Sequence, residues 1–299
     1  MSFGERLAAR VAARESQIVL GLDPDPSRLW PEALEHAPAD GSPAQRAAAA
    51  VLAQCAALID AAGPACVAVK PQLACFERLG ADGWAALAAT VAHAREAGLL
   101  VIADAKRGDI DVSAAAYAQA LVGSTPTPFG DAAGLGADAF TANPLLGVDA
   151  LAPFADAARA ADAGVFVLVR TSNPGAADLE DLELAGGGAV WERLARIVAQ
   201  LGGDGDGLSE IGAVTGATAP EHLARMRELM PRAPFLLPGI GAQGGRVEDL
   251  SPAFAAGRAG GLVSASRSIA GAHERAGGSP RGAARAEAER LREAAWSLA

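Results

Sequence analysis

The residues best suited to chemistry lie in Asp104-Ala-Lys106-Arg-Gly-Asp109-Ile110, directly after the apolar run Leu99-Leu-Val-Ile-Ala103. That run, entered from Gly98, reads as a buried parallel strand. Side chains repeat every two residues along a strand, so Asp104 and Lys106 are expected on the same side of its carboxyl end. An apolar strand ordinarily runs into Gly, Asn or Pro, yet this one runs into two acids and two bases within six residues. Lys70 follows another apolar run and adds a second ammonium. Alternating charges at short range hold one another ionised. A carboxylate fixed against a substrate carboxylate opposes it, and an ammonium nearby can deliver a proton. Lys70, Asp104, Lys106 and Asp109 together could therefore replace a CO2 group by hydrogen. The competing reading is an ion-pair network on the rim of the fold. Buried ion networks stabilise poorly, which favours chemistry.

These residues need elements to position them, and the chain supplies a regular set. The apolar runs Ile18–Leu22, Ala65–Val69, Leu99–Ala103, Asp138–Ala142, Gly164–Arg170, Ile211–Thr215, Phe235–Leu237 and Gly261–Ala265 read as eight strands. Helical stretches separate them, among them Gln45–Ala62, Gly83–Ala97, Ser113–Leu121, Val148–Ala161, Val190–Leu201 and Pro220–Met230. Strict alternation argues for a parallel sheet with helical crossovers. Eight units in about 250 residues predict a closed (β/α)8 TIM barrel forming one α/β domain over residues 1–299. An open dinucleotide-binding sheet would want Gly-x-Gly-x-x-Gly after its first strand, where the chain has Asp23-Pro-Asp-Pro26. The acidic, Gly-rich stretch 176–188 reads as a long loop, and Pro280–Leu298 as a charged amphipathic helix.

In such a barrel the carboxyl ends of the strands converge on one rim. Asp23, Lys70, Asp104 with Lys106, Ser172, Gln243 and Arg267 all follow apolar runs on that side. The last two strand ends suit a phosphate. Pro238-Gly-Ile-Gly-Ala-Gln-Gly-Gly245 can turn backbone N–H groups toward an anion, and Arg267 supplies a charged fork of donors. The alternative for the glycines alone is a tight turn.

Bulk properties narrow the partners. A formal net charge of −10 argues against nucleic acid or an anionic membrane surface, while leaving room for a locally positive pocket. A small phosphorylated metabolite fits that balance. Cys55, Cys66 and Cys75 are odd in number and lack metal-ligand spacing, so buried thiols in a reducing cytoplasm are expected. Residues 1–14 carry charges throughout and lack a signal-peptide core. No uncharged apolar run reaches about 18 residues, so no membrane span is expected.

With these residues in view, the chain resembles the orotidine 5′-phosphate decarboxylase family. Asp104-x-Lys106-x-x-Asp109 matches its signature. Lys70-Pro-Gln, Thr171-Ser-Asn-Pro-Gly175, the glycine loop and Arg267-Ser-Ile269 follow in family order, from about residue 18 to 269. The longer form Lys-Arg-Gly-Asp-Ile resembles the bacterial subfamily with larger loops. The resemblance implies a TIM barrel, a homodimer with shared sites, and decarboxylation of orotidine 5′-phosphate to UMP without metal or organic cofactor. It implies that Asp23 and Lys70 bind the ribose, and that Lys70 also orients the acidic pair. It sets Asp104 beside the substrate carboxylate and makes Lys106 the proton donor to C6. Asp109, Ile110 and Ser113 are implied to reach the partner's site; Ser113 stands where the family pattern has Thr and keeps the hydroxyl. Ser172 is implied to bind the pyrimidine, Gln243 and Arg267 the phosphate, and Pro238 and Ile240 to line the pocket. Contact of Asn143, Arg170 or Thr215 with ligand is left open. Metal-dependent relatives that act on sugar phosphates are expected to carry a carboxylate where this chain has Lys70. A binding protein that has lost catalysis is the remaining alternative.

Overall fold

The computed structural model of the chain describes residues 1–241 and 243–299; Ala242, inside the glycine loop, lies outside the described residues. Eight parallel strands close into a barrel. They are β1 (Ile18–Leu22), β2 (Ala68–Pro71), β3 (Leu100–Arg107), β4 (Ala139–Ala142), β5 (Gly164–Arg170), β6 (Ile211–Thr215), β7 (Phe235–Leu237) and β8 (Gly261–Ala265). Each pairs with its sequence neighbours, and β1 closes the ring on β8 through Ile18 opposite Val263. The main helices are α1 (Phe3–Arg14), α2 (Pro43–Ala62), α3 (Gly80–Glu96), α4 (Asp111–Val122), α5 (Val148–Ala160), α6 (Val190–Gly202), α7 (Leu223–Leu229) and α8 (Pro280–Leu298).

The two-residue period of each strand divides the core into an inner and an outer part. Val19, Leu100, Ile102, Phe166, Leu236 and Leu262 share the interior cluster. Their chain neighbours Leu20, Val101, Val165, Phe235 and Val263 belong to the larger cluster beneath the helices. Each large side chain so buried contributes about 1.5–3 kcal/mol. Asp104 continues the inward series Leu100, Ile102, so the strand's own period delivers its carboxylate to the barrel's mouth.

The opposite end of the barrel is closed by α1. Ser2 and Glu5 form a reciprocal capping box at its start. Phe3, Leu7 and Val11 then pack under the barrel interior, with the Phe3 ring edge-on to Phe166 at 6.0 Å. Gly164 is required there, because a Cβ would stand 2.4 Å from the Phe3 ring. One open, polar end remains.

Several boundaries differ from the sequence reading. β2 and β3 extend through Lys70 and Lys106, because Gly21 pairs with Lys70 and Gln72 bridges Asp104. α2 begins two residues earlier than the Ala-rich run, with Pro43 at its first position and a Ser42–Gln45 capping box. The ribbon pairing Ser124–Thr125 with Ala132–Ala133 was not foreseen, since two-residue strands leave no periodicity to read. Stretch 176–188 is a tied loop: Glu183 bridges Ala189, and the Leu184 N–H donates to the Gly188 carbonyl at 2.8 Å. By length and composition the segment Pro43–Ala65 could cross a membrane, yet 61% of its apolar window is buried and it packs against α3 and α8.

Candidate active site

Three of the four expected charges meet at the mouth of the barrel. The Lys70 ammonium donates to Asp104 Oδ2, and the Lys106 ammonium donates to Asp104 Oδ1 at 2.5 Å. The Asp104 and Lys70 side chains are 7% and 8% exposed, whereas that of Lys106 is 44% exposed. Lys106 is therefore the ammonium reachable from outside, while Lys70 is buried against Asp104. Two neutral donors complete the carboxylate's shell. Gln72 Nε2 donates to Oδ2 at 3.1 Å, and Thr141 Oγ1 donates to Oδ1 at 2.9 Å. Each carboxylate oxygen thus receives one cation and one neutral donor. Neither Gln72 nor Thr141 was singled out as a site residue from the sequence. Gln72 sits beside Lys70 in Lys-Pro-Gln, so strand proximity could have flagged it. Thr141 carries no such signal.

Burial alone would push the Asp104 carboxyl up, but the charges of Lys70 and Lys106 and their hydrogen bonds outweigh it and hold the group well below the usual carboxylate range. Burial alone would push the Lys70 ammonium down. Asp104 and Asp23 reverse that, and Lys70 stays above the ordinary lysine value. A carboxyl held low stabilises the fold above its unfolded value of about 4, and loses that contribution as the pH falls below it. Lys70 contributes fully below the ordinary lysine range and loses its contribution only as the pH rises beyond it. Asp104→Asn is therefore expected to be destabilised near neutral pH, with the gap from wild type narrowing as the pH falls below about 4. Denaturant unfolding from pH 6 to pH 3 measures this; a gap that stays constant would mean the pairing does not hold the carboxylate.

Asp109 lies outside the trio. Its Oδ1 accepts the Ile110 N–H at 2.8 Å, and among the described residues it makes no hydrogen bond or ion pair with Lys70, Asp104 or Lys106. Ile110 and Ser113 are exposed beside it on the same surface. The chain leaves β3 after Arg107, so the expected four-charge cluster is a three-charge cluster within one chain. Arg107, on the other side of β3, pairs with Glu77 and lies 5.4 Å from the Tyr117 ring centre.

The remaining rim residues fall as the barrel topology requires. Asp23 Oδ2 accepts from Ser266 Oγ at 2.7 Å, joining the ends of β1 and β8. Ser172 is half-buried, and its carbonyl accepts from Thr218 Oγ1 at 3.1 Å. The glycine loop follows β7 past Ser172. Gly239 has φ +106, and a Cβ there would stand 3.0 Å from Gln243 Oε1 and 3.2 Å from Ser172 Cβ. Only glycine fits that turn and that approach. Pro238 is half-buried, Ile240 is buried, and Gln243 is exposed. Arg267 is exposed just past β8, and its guanidinium has no hydrogen-bond or ion-pair partner among the described residues. This leaves its guanidinium available to an anion.

Of the three residues left open, Arg170 is committed elsewhere. Its guanidinium donates twice to Asp181, at 2.8 and 2.9 Å, and so ties down the 176–188 loop. Glu180 accepts the Thr171 N–H at 2.8 Å and fixes the backbone next to Ser172. Asn143 Oδ1 accepts the Leu145 N–H at 3.0 Å. Thr215 is fully buried, and its hydroxyl has no partner among the described residues.

The chain is similar to known proteins in sequence and in overall fold. The model of the orotidine 5′-phosphate decarboxylase / HUMPS family matches residues 16–280. The orotidine 5′-phosphate decarboxylase of Rhodopirellula baltica is 41% identical over 278 residues, covering 92% of this chain and 90% of the relative. That of Deinococcus radiodurans is 41% identical over 303 residues, covering 98% and 96%. Among solved structures, Leishmania donovani OMP decarboxylase superposes with a TM-score of 0.72 at 33% identity, covering 99% of each chain. The chain also spans 57% of the longer Leishmania donovani UMP synthase, with a TM-score of 0.73 at 35% identity.

Proposed function

Since the chain belongs to the orotidine 5′-phosphate decarboxylase / HUMPS family, we propose that it decarboxylates orotidine 5′-phosphate to UMP, the last step of de novo UMP synthesis, without metal or organic cofactor. The observation that carries this is Asp104 held between two ammonium groups at the barrel's mouth, on the rim that also bears the glycine loop and Arg267.

In the proposed reaction the C6–carboxylate bond breaks and its electron pair stays on C6. Lys106 Nζ transfers a proton to that carbon, CO2 departs, and solvent reprotonates the amine. Asp104 stands beside the departing carboxylate, and its low proton affinity keeps it charged there. Enzymes lower barriers by about 8–23 kcal/mol, more than repulsion between two carboxylates supplies. Stabilisation of the developing carbanion by Lys106 carries the larger share. The phosphate lies far from the breaking bond. Its grip by Arg267, Gln243 and the glycine loop drives closure, which excludes water and strengthens the Lys106 attraction. Asp23 and Lys70 hold the ribose, and Ser172 the pyrimidine. Asp109, half-buried, and the exposed Ile110 and Ser113 complete the site of a second copy in a homodimer.

The family's description also names HUMPS beside the decarboxylase, so a second chemistry competes with it. Lys70 presents an ammonium where a metal-dependent sugar-phosphate relative is expected to present an oxygen ligand. The deciding experiment follows loss of orotidine 5′-phosphate absorbance with a chelator present and no metal added. Steady loss supports the decarboxylase; metal-dependent activity favours the sugar-phosphate chemistry, and no loss under either condition leaves a ligand-binding protein. Within this reading, Arg267→Ala is expected to raise KM about 10- to 100-fold, as for loss of a charged hydrogen bond worth about 1.5–3 kcal/mol. Unchanged KM and kcat would remove Arg267 from the site.

A further inference from the structure

We infer that Thr141 is a positioning residue for the reacting charges, its one hydroxyl fixing both the backbone of Lys106 and the carboxylate of Asp104. The inference rests on the decarboxylase reading and adds to it a side chain that acts through its neighbours.

The register between β3 and β4 carries the argument. Ile102 pairs with Ala139 and Ala103 with Phe140, but the next pair is Arg107 with Ala142. Asp104, Ala105 and Lys106 therefore stand opposite Thr141 alone. Such a bulge re-aims side chains at the cost of ladder hydrogen bonds. Lys106 pays part of that cost in its backbone, with φ +48, a left-handed conformation that burdens a residue with a Cβ by about 1–2 kcal/mol. Its amide would also lack a partner in the ladder. Thr141 Oγ1 fills the gap by accepting the Lys106 N–H at 2.9 Å. The same hydroxyl donates its only proton to Asp104 Oδ1 at 2.9 Å.

Thr141 is 1% exposed, and as a β-branched residue it has restricted rotamers. The position of its oxygen therefore follows from the β4 backbone. Through that oxygen, β4 sets where the Lys106 chain leaves the strand and how the Asp104 carboxylate is turned. Both partners are groups that act on the substrate. Without the hydroxyl, the bulge can relax and carry the ammonium away from C6. Displacement of a reacting group by about 1 Å can cost about 100-fold in rate.

The test compares Thr141→Val, Thr141→Ala and Thr141→Ser in the full-length protein, reading kcat and KM for orotidine 5′-phosphate, the inhibition constant of UMP, and melting temperature. Val and Ala are expected to lower kcat about 10- to 100-fold, while KM and the UMP constant stay within about threefold. Ser keeps the hydroxyl and is expected to restore kcat to within about fivefold of wild type. Ala covers the case in which the extra methyl of Val prevents folding. A folded Val or Ala variant with kcat within about threefold of wild type overturns the inference. So does a Ser variant as slow as Val, or UMP affinity that falls in step with kcat. Failure of both Val and Ala to fold would make the hydroxyl a structural prop and overturn it too. A wild type that turns over while Thr141 proves dispensable defeats this inference alone; a wild type without turnover defeats the decarboxylase reading and this inference with it.

Discussion

Lys106→Ala is expected to lower turnover by at least about 10²–10⁴-fold, the range for loss of a positioned general acid, while UMP still binds measurably. Two effects combine in the proposed reaction: the ammonium would be the proton source, and also the positive charge that stabilises the carbanion. Lys70 cannot replace it, because its own ammonium is buried against Asp104. UMP binding is expected to be retained, because the proposed grip on the phosphate by Arg267, Gln243 and the glycine loop is untouched. The variant is expected to fold, since the Lys106 side chain is nearly half exposed and its loss opens no core cavity. Measuring kcat and the UMP inhibition constant on the same preparation checks both halves. Turnover within tenfold of wild type would exclude Lys106 as the donor.

The second large effect is a rescue. Lys106→Ala and Asp109→Ala subunits are each expected to be nearly inactive alone. Mixed and allowed to exchange, they should regain about a quarter of wild-type activity. In a two-fold dimer about half the molecules become hybrids, and each hybrid contains one site free of both substitutions. The physical ground is the position of Asp109. It is separated from the Lys70–Asp104–Lys106 trio within one chain, on an exposed surface with Ile110 51% and Val112 82% exposed. Apolar side chains so exposed at the start of α4 favour a protein partner over water. If exchange is verified by tagged subunits and no activity returns, the sites are not shared. Activity of Asp109→Ala alone near wild type would mean that the carboxylate has no part in the site.

The contrast between these residues shows how far sequence reasoning reaches. The sequence put Asp104 at a strand end but not on a face, because Leu100 to Ala103 are all apolar; the packing of Leu100 and Ile102 inside the barrel, and of Val101 and Ala103 beneath the helices, decided that it points inward. Lys106 was expected on the same side as Asp104 from the two-residue period of a strand. It does meet Asp104, but through a bulge with positive φ rather than a regular strand. The glycine loop was legible because a run of glycines before a strand-end Arg has few other uses in this architecture. The tied loop 176–188 was not, since Arg170 and Asp181 pair only once the chain folds back over the β5 end.

What the sequence determined by itself is therefore local and periodic. Alternating strands and helices predict the barrel, and its place at a strand's carboxyl end sends Asp104 to the mouth. The parallel crossovers bring Lys70, Asp104, Ser172, the glycine loop and Arg267 to one rim. Only the tertiary structure decided the partners. Gln72 and Thr141 reach Asp104 from 32 and 37 residues away in the chain. Arg107 turns to Glu77, and Asp109 stays apart. The reason is that hydrogen bonds of this kind depend on inter-strand register to within one residue. Register is set by the packing of all eight strands together, and no single stretch of the chain contains it.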